Sequence, residues 1–522
     1  MSAMLFSFLL RFGQACIEAS LTLVIGVVVA GLLRRMVGPA GTRKLFGSGW
    51  KGLFRGWMAG MLLPVCSLGV IPIAREMRRA GVPGGTVLAF VLAAPLLNPL
   101  SFLYGLTLAE PKVILCFAAF SLILSTAAGY LWDKVFAGSG DRAASEERAR
   151  IADAEPAPAE GPRRILAVFV TASRELAGRD LAFYAIGLVG SSLLSAALPA
   201  GSLQHTMHHS DKTSPLLMTA LAVPIYTSPL PGMMKIGLMF EHGNSIGAAF
   251  VLFALGIGTS LGTLAWLFVD FGWRRAAAWF LAYVAIILAM GFACEPLLYD
   301  SRKAEADHTH AFDDYSSPFP AGTPNGLELA QFKLAEKFGP LERPAVYGFL
   351  GLLGVGLLVR RIDRNGRLEM WLTARPGEST RVRPKWDVTI PGPVLGGIAL
   401  LGLIAFSGIG AYVYYPDREQ CQDEMASIYA EAFVAVKTGK KDEAIRQLEH
   451  LDLLTRKLQV GEYIRTFHLT DEQSRTPDDL REALEEVRDH LIAGDSEAAK
   501  LALKDVEVKY RACKAAFPRA PR

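Results

Sequence analysis

A thiol inside a proline-bracketed break is the first group in this chain with chemistry to offer. Cys66 and Ser67 lie in Pro64-Val-Cys-Ser-Leu-Gly-Val-Ile-Pro72, an interruption in an otherwise apolar stretch. A sulfur at such a bend can ligate a soft solute, such as a trivalent arsenical or a heavy metal, or it can pack as a small hydrophobe. A second break, Pro224-Ile-Tyr-Thr-Ser-Pro-Leu-Pro231, offers the hydroxyls of Tyr226, Thr227 and Ser228. These suit a polar or oxyanionic group, or they satisfy backbone carbonyls freed by the break. Asn98 lies deep in a third interrupted segment between Pro95 and Pro99. An amide there bridges to a break or contacts a solute. Glu18 and Lys235 are the ionisable residues nearest to apolar surroundings, which makes them coupling candidates; otherwise they reach the interface. The methionines around both breaks read as packing, and His205, His208 and His209 as an exposed loop.

The elements that must position these groups are membrane helices. Half of the 522 residues are hydrophobic, and they fall in runs close to the roughly 20 residues that span a bilayer. Spans are expected at 16–33, 84–109, 112–131, 180–199, 245–269, 276–298, 344–359 and 391–413. The breaks interrupt 53–80 and 214–240. Arginines and lysines flank the first broken segment on both sides (Arg34, Arg35, Arg43, Lys44; Arg75, Arg78, Arg79). A full crossing would leave one cluster on the wrong face, so the segment enters and returns. The second broken segment has flanks poor in positive charge and dips in from the opposite face. The tetrapeptide Ala-Phe-Val-Leu follows each break (Ala89–Leu92 and Ala249–Leu252), 160 residues apart. The fold class is therefore all-α and polytopic: an inverted repeat with two re-entrant hairpins whose tips meet at the midplane.

The expected organisation is a first membrane repeat (1–137), a cytoplasmic linker without periodicity (138–164) and a second membrane repeat (165–298). An extracytoplasmic loop (299–343) follows, then two additional spans with a basic cytoplasmic loop (344–415) and an extracytoplasmic helical bundle (416–522). In the bundle, Met425, Ile428, Ala432 and Val436 form one apolar stripe, and Leu480, Leu484, Val487 and Leu491 another. Thr476 and Pro477 read as a helix start. Cys421 and Cys513 fall at neighbouring ends of an antiparallel bundle, where an oxidising compartment would permit a disulfide.

The formal charge of +4, with basic residues gathered beside apolar runs, speaks for membrane orientation and against nucleic acid. No P-loop, metal motif or nucleophile–base set occurs, so neither an enzyme nor a cofactor is expected. Pro64 to Pro72, Gly81-Val-Pro-Gly84 and Ala89 to Pro99 together resemble the predicted permease family that includes bacterial organoarsenical efflux permeases. The resemblance covers roughly 15–298. It implies a multi-pass inner-membrane secondary transporter, with trivalent organoarsenicals as substrates of some members. Leu68 stands where many members carry a second tip cysteine. The expected function is a secondary-active permease exporting a small solute through a site between the hairpin tips. The alternative is a membrane sensor or assembly platform whose outer bundle binds a protein partner.

Overall fold

The computed structural model describes residues 2–97, 101–102, 111–154, 163–298 (save 204 and 242), 311–319, 330–338 (save 332 and 336), 342–363, 367–373, 412, 415 and 417–518 (save 467). The described residues divide into a membrane unit and a C-terminal unit beginning at Pro393. Among the described residues, five helices are long and apolar enough to cross a bilayer, or six if one pair bent by 59° counts as a single span.

The membrane unit is ordered along its first helix, α1 (Ser2–Leu32). This helix begins well before the expected residue 16. Arg11 therefore lies inside it and is buried, and Glu18 sits near its middle rather than at an outer end. A π-helical turn (Leu33–Val37) carries Arg34 and Arg35 into α2 (Gly38–Phe46).

The first broken segment comprises α3 (Gly49–Leu62), an irregular tip and α4 (Val70–Arg79). It returns to the face it came from. Arg43, which precedes it, donates to the carbonyl of Ala80, which follows it, at 2.7 Å. Arg34 lies 3.7 Å from Glu76 on the returning limb. After Gly81, α5 (Gly84–Ala93) runs beside α3, with Gly56 and Gly60 letting the two backbones touch. Next come α6 (Pro111–Leu131), a π-turn (Trp132–Phe136) and α7 (Ser139–Asp153). The last of these lies within the expected linker, where no periodicity announced a helix. Its polarity hid a helix whose start is anchored from outside, as Arg78 reaches Asp141 at 2.8 Å.

The second half repeats the plan. Helix α8 (Arg163–Leu176) leads to α9 (Asp180–Ala197). The second broken segment is α10 (Ser214–Ala222), a tip and α11 (Pro229–Glu241). Its two ends also meet: Ser245 donates to the carbonyl of Met207 at 2.9 Å, and His208 bridges Asn244. Then follow α12 (Ile246–Val251) with a π-turn (Leu252–Ile257), α13 (Leu261–Phe271) and α14 (Trp273–Leu298).

The two halves are equivalent at an offset of 162 residues. Gly81 and Gly243 both have positive φ and end the returning limbs. Val82 donates to Met77, and Asn244 to Met239, across those turns. Gly85 packs on Gly129, and Gly247 on Gly291. Asp133 accepts the amide of Gly85 at 2.8 Å, and Glu295 accepts that of Gly247 at 2.5 Å. Each half thus caps the helix after its hairpin with a carboxylate from its own long helix, which suits the positive helix start.

Beyond the repeats, α15 (Glu342–Ile362) packs on α1 and α8. The span expected at 391–413 lies outside the described residues, apart from Tyr412. The C-terminal unit is a four-helix bundle: α16 (Arg418–Thr438), α17 (Lys441–Thr466), α18 (Asp471–Ala493) and α19 (Ser496–Ala516). Both expected stripes line its core, Ile428 at the edge. The third helix starts five residues before Thr476, because Thr470 and Gln473 form a reciprocal capping box there. Pro477 lies inside the helix. Cys421 and Cys513 share the core as free thiols, and Cys421 donates to the Leu454 carbonyl at 3.2 Å. Burial pushes each thiol up to about 12.

Candidate functional site

The tips are built from backbone that no helix can use. Pro64 and Pro224 sit in the breaks and remove a donor there. Pro72 and Pro231 do not break anything. Each is the third residue of a returning limb, where a missing N–H has no helical acceptor to lose. Pro95 lies in the turn after α5, while Asn98 and Pro99 fall outside the described residues.

Helix α1 serves as a ruler along which both hairpins line up. Lys235 on α11 stands level with the Arg11 end, because both reach Asp314. The second tip stands level with Glu18: its carboxylate accepts the Ser228 amide at 2.7 Å and faces the Thr227 hydroxyl at 3.4 Å. The first tip follows at once. Thr22 donates to the Cys66 sulfur at 2.9 Å, and the Gly69 amide donates to the same sulfur at 3.3 Å. A methyl at Gly26 would strike the Gly69 carbonyl. Glu76 and Arg34 mark the far end. The hairpins therefore enter from opposite faces and meet midway.

They meet through named atoms. The Tyr226 hydroxyl lies against Cys66 and Thr22. The Tyr226 amide is held by Ser191 of α9 at 2.9 Å. The Ser67 carbonyl accepts the Thr263 hydroxyl, at the start of α13. Leu68 fills a notch formed by Gly187 and Gly262 of the second half. Cys66, Ser67 and Leu68 are fully buried. In this conformation the midplane is shut.

A polar cavity of about 40 Å³, enough for water, opens on the Lys235 side of the contact. It is lined by Arg11, Glu18, Ser191, Tyr226, Thr227, Lys235 and Asp314, among others. A strap over 311–317 closes it. Lys235 pairs with Asp314 at 2.9 Å, Lys337 with Asp314 at 3.4 Å, and Arg11 donates to the Ser316 carbonyl at 2.7 Å. The ammonium of Lys235, with those of Lys337 and the guanidinium of Arg11, holds the Asp314 carboxyl well below the usual range. Of the three histidines expected in an exposed loop, His205 is exposed, His208 and His209 are half-buried, and His209 meets Glu295 at 2.5 Å. Among the described residues, no group of three metal-ligating side chains converges.

Two repeats, two re-entrant tips and apolar spanning helices describe an integral, multi-pass membrane protein. The profile of a family described as predicted permease matches residues 4–296, more than half of the chain. The chain belongs to this family. It is also 34% identical over 90 residues to UPF0718 protein YcgR of Bacillus subtilis (strain 168), covering 17% of this chain and 31% of that protein. The chain thus spans about a third of the length of the curated relative it matches. No solved structure matches it.

Cys66, Ser67, Tyr226, Thr227, Ser228 and Glu18, the candidates singled out from the sequence, lie together in the permease. Lys235 is near them, but its charge is spent on Asp314. Thr22, Ser191 and Asp314 were missed. Thr22 and Ser191 look like ordinary small polar residues in spans, and Asp314 lies 79 positions from its lysine in a polar loop.

Proposed function

We propose that this permease carries a small soft or oxyanionic solute through the junction of the two tips, driven by an ion gradient rather than a nucleotide. The observation that carries the reading is the contact of Cys66 with Tyr226, one residue from each re-entrant tip. A tip that dips from each face gives each face its own gate, as alternating access requires. The Cys66 sulfur is already an acceptor of two hydrogen bonds, which suits it to hold an electrophilic solute such as a trivalent organoarsenical. Ser67, Thr227 and Ser228 supply hydroxyls for the oxygens of such a solute. Charge supports the direction. The end bearing Arg34, Arg35, Arg75, Arg78 and Arg79 reads as cytoplasmic, and the strap with Asp314 and the C-terminal bundle as periplasmic. Export then runs from the arginine-rich end to the strap.

The test is flux of methylarsenite into proteoliposomes holding the full chain. The wild type accumulates it, Cys66→Ser does so far more slowly, and Lys235→Gln stays nearer to the wild type. A wild type without flux for arsenicals or oxyanions sinks the transport reading. The platform alternative would then stand on the bundle, which has its own core and capped helices and so offers a rigid docking body for a protein partner.

A further inference from the structure

Beyond the tip contact, toward the arginine-rich end, lie buried polar groups that holding a solute does not require. Asp180 opens α9 and is 0% exposed. An acid in the first turn of a helix ordinarily caps backbone amides. This one does not: neither carboxylate oxygen takes a hydrogen bond, and its partner is the guanidinium of Arg75 on the returning limb of the first hairpin. Four residues on, Tyr184 is buried between Asp180 and Cys66 with its hydroxyl unpartnered. On the other side of Cys66 stand Tyr226 and then Glu18. Unsatisfied hydroxyls and a wholly buried carboxylate are costly inside a membrane protein and mark ion or proton routes.

Resting on the permease reading, we infer that Asp180 is the proton-binding site that couples transport, reached by the file Glu18, Tyr226, Cys66 and Tyr184. The step is a simple exchange. A proton forms the O–H bond of the Asp180 acid, no covalent bond breaks, and the Arg75 cation is released from its pair. Arg75 rides on the first hairpin and Asp180 on the second half, so their ion pair staples one repeat to the other. Protonation removes the staple and frees the hairpin. The other charged groups facing Asp180 are Glu76 on the limb of Arg75 and Glu175 on α8. Arg34, in the π-turn after α1, stands 2.9 Å from Glu175 and 3.7 Å from Glu76, so both are already compensated. Asp180 is the carboxylate whose compensation is a movable element.

Infrared difference spectroscopy of the full chain in liposomes, stepped from neutral to acid pH, reads this directly. The wild type gains the carbonyl band of a buried carboxylic acid, and Asp180→Asn lacks it. In Arg75→Gln the same band persists with its midpoint moved to higher pH by about one unit or more, because the stabilising cation is gone. In proteoliposomes, methylarsenite is accumulated by the wild type when driven by an imposed pH gradient and exchanged at equal pH. Asp180→Asn keeps the exchange and loses the accumulation. An unaltered band in Asp180→Asn, an unmoved midpoint in Arg75→Gln, or gradient-driven accumulation in Asp180→Asn overturns the assignment. A wild type that moves no methylarsenite defeats the solute reading, while the infrared band still decides Asp180.

Discussion

Glu18 holds the second tip in place, and removing it should open the midplane. Its carboxylate accepts the Ser228 amide at 2.7 Å, where Ser228 is 6% exposed. A hydrogen bond to a charged group contributes about 1.5–3 kcal/mol, against about 1 kcal/mol for a neutral one. In Glu18→Gln an amide carbonyl still faces the tip, so the loss is about 1 kcal/mol. In Glu18→Ala the Ser228 amide is left buried without an acceptor, and the loss rises to about 3 kcal/mol. At about 1.4 kcal/mol per tenfold, tip separation becomes about fivefold more frequent in the first variant and about 100-fold in the second. Cys66 reports that separation, because it is 0% exposed and lies against Tyr226. The assay is the rate of alkylation by N-ethylmaleimide in a background where the other five cysteines are replaced. The rates should rank wild type, then Glu18→Gln, then Glu18→Ala, in those proportions. An unchanged rate in Glu18→Ala would mean that something other than this carboxylate holds the tips together, and the ruler described for α1 would lose its central mark.

Gly26→Ala should cost about 1–3 kcal/mol in reversible SDS unfolding, since the new methyl meets the Gly69 carbonyl and the tip must shift. Glu295→Ala should destabilise more than Asp133→Ala, because Glu295 accepts from Ser245, Ile246 and Gly247 while Asp133 accepts from Gly85; equal losses would contradict that difference. The strap should loosen in acid. Asp314 has its folded pKa depressed by Lys235 first, then by Lys337 and Arg11. Its stabilisation is therefore complete above the unfolded carboxylate value of about 3.9 and is lost as pH falls below that toward the folded value. A spin label at Phe319→Cys should stay immobile from pH 7 to about 4 and gain mobility only below it, with Asp314→Asn mobile throughout.

The hairpins were legible because their cause is local. A proline removes a donor wherever the chain folds, and arginines on both flanks of an apolar segment forbid a crossing whatever packs beside it. The repeat was legible in outline and misread in register. Ala-Phe-Val-Leu suggests an offset of 160, but Ala89 lies four residues past Gly85, whereas Ala249 lies two past Gly247. On a helix two residues turn the chain by about 200°, so the two copies present opposite faces and their identity is not equivalence. What the halves truly share is backbone geometry: glycines where two backbones must touch, a glycine with positive φ, and a carboxylate over a helix start. Such positions tolerate almost no variation in shape but little in the surrounding sequence announces them. The second hairpin is two residues longer between its break and its closing glycine, which hides the true offset from any search for matching strings. Asp180 was invisible for a different reason. An aspartate at a helix start has an ordinary explanation, and only the three-dimensional arrangement removes it, by placing Arg75 and a buried tyrosine where backbone amides would have been. The transport and coupling proposed for this permease rest on pairings between halves, Cys66 with Tyr226 and Arg75 with Asp180, which a reading along the sequence does not see.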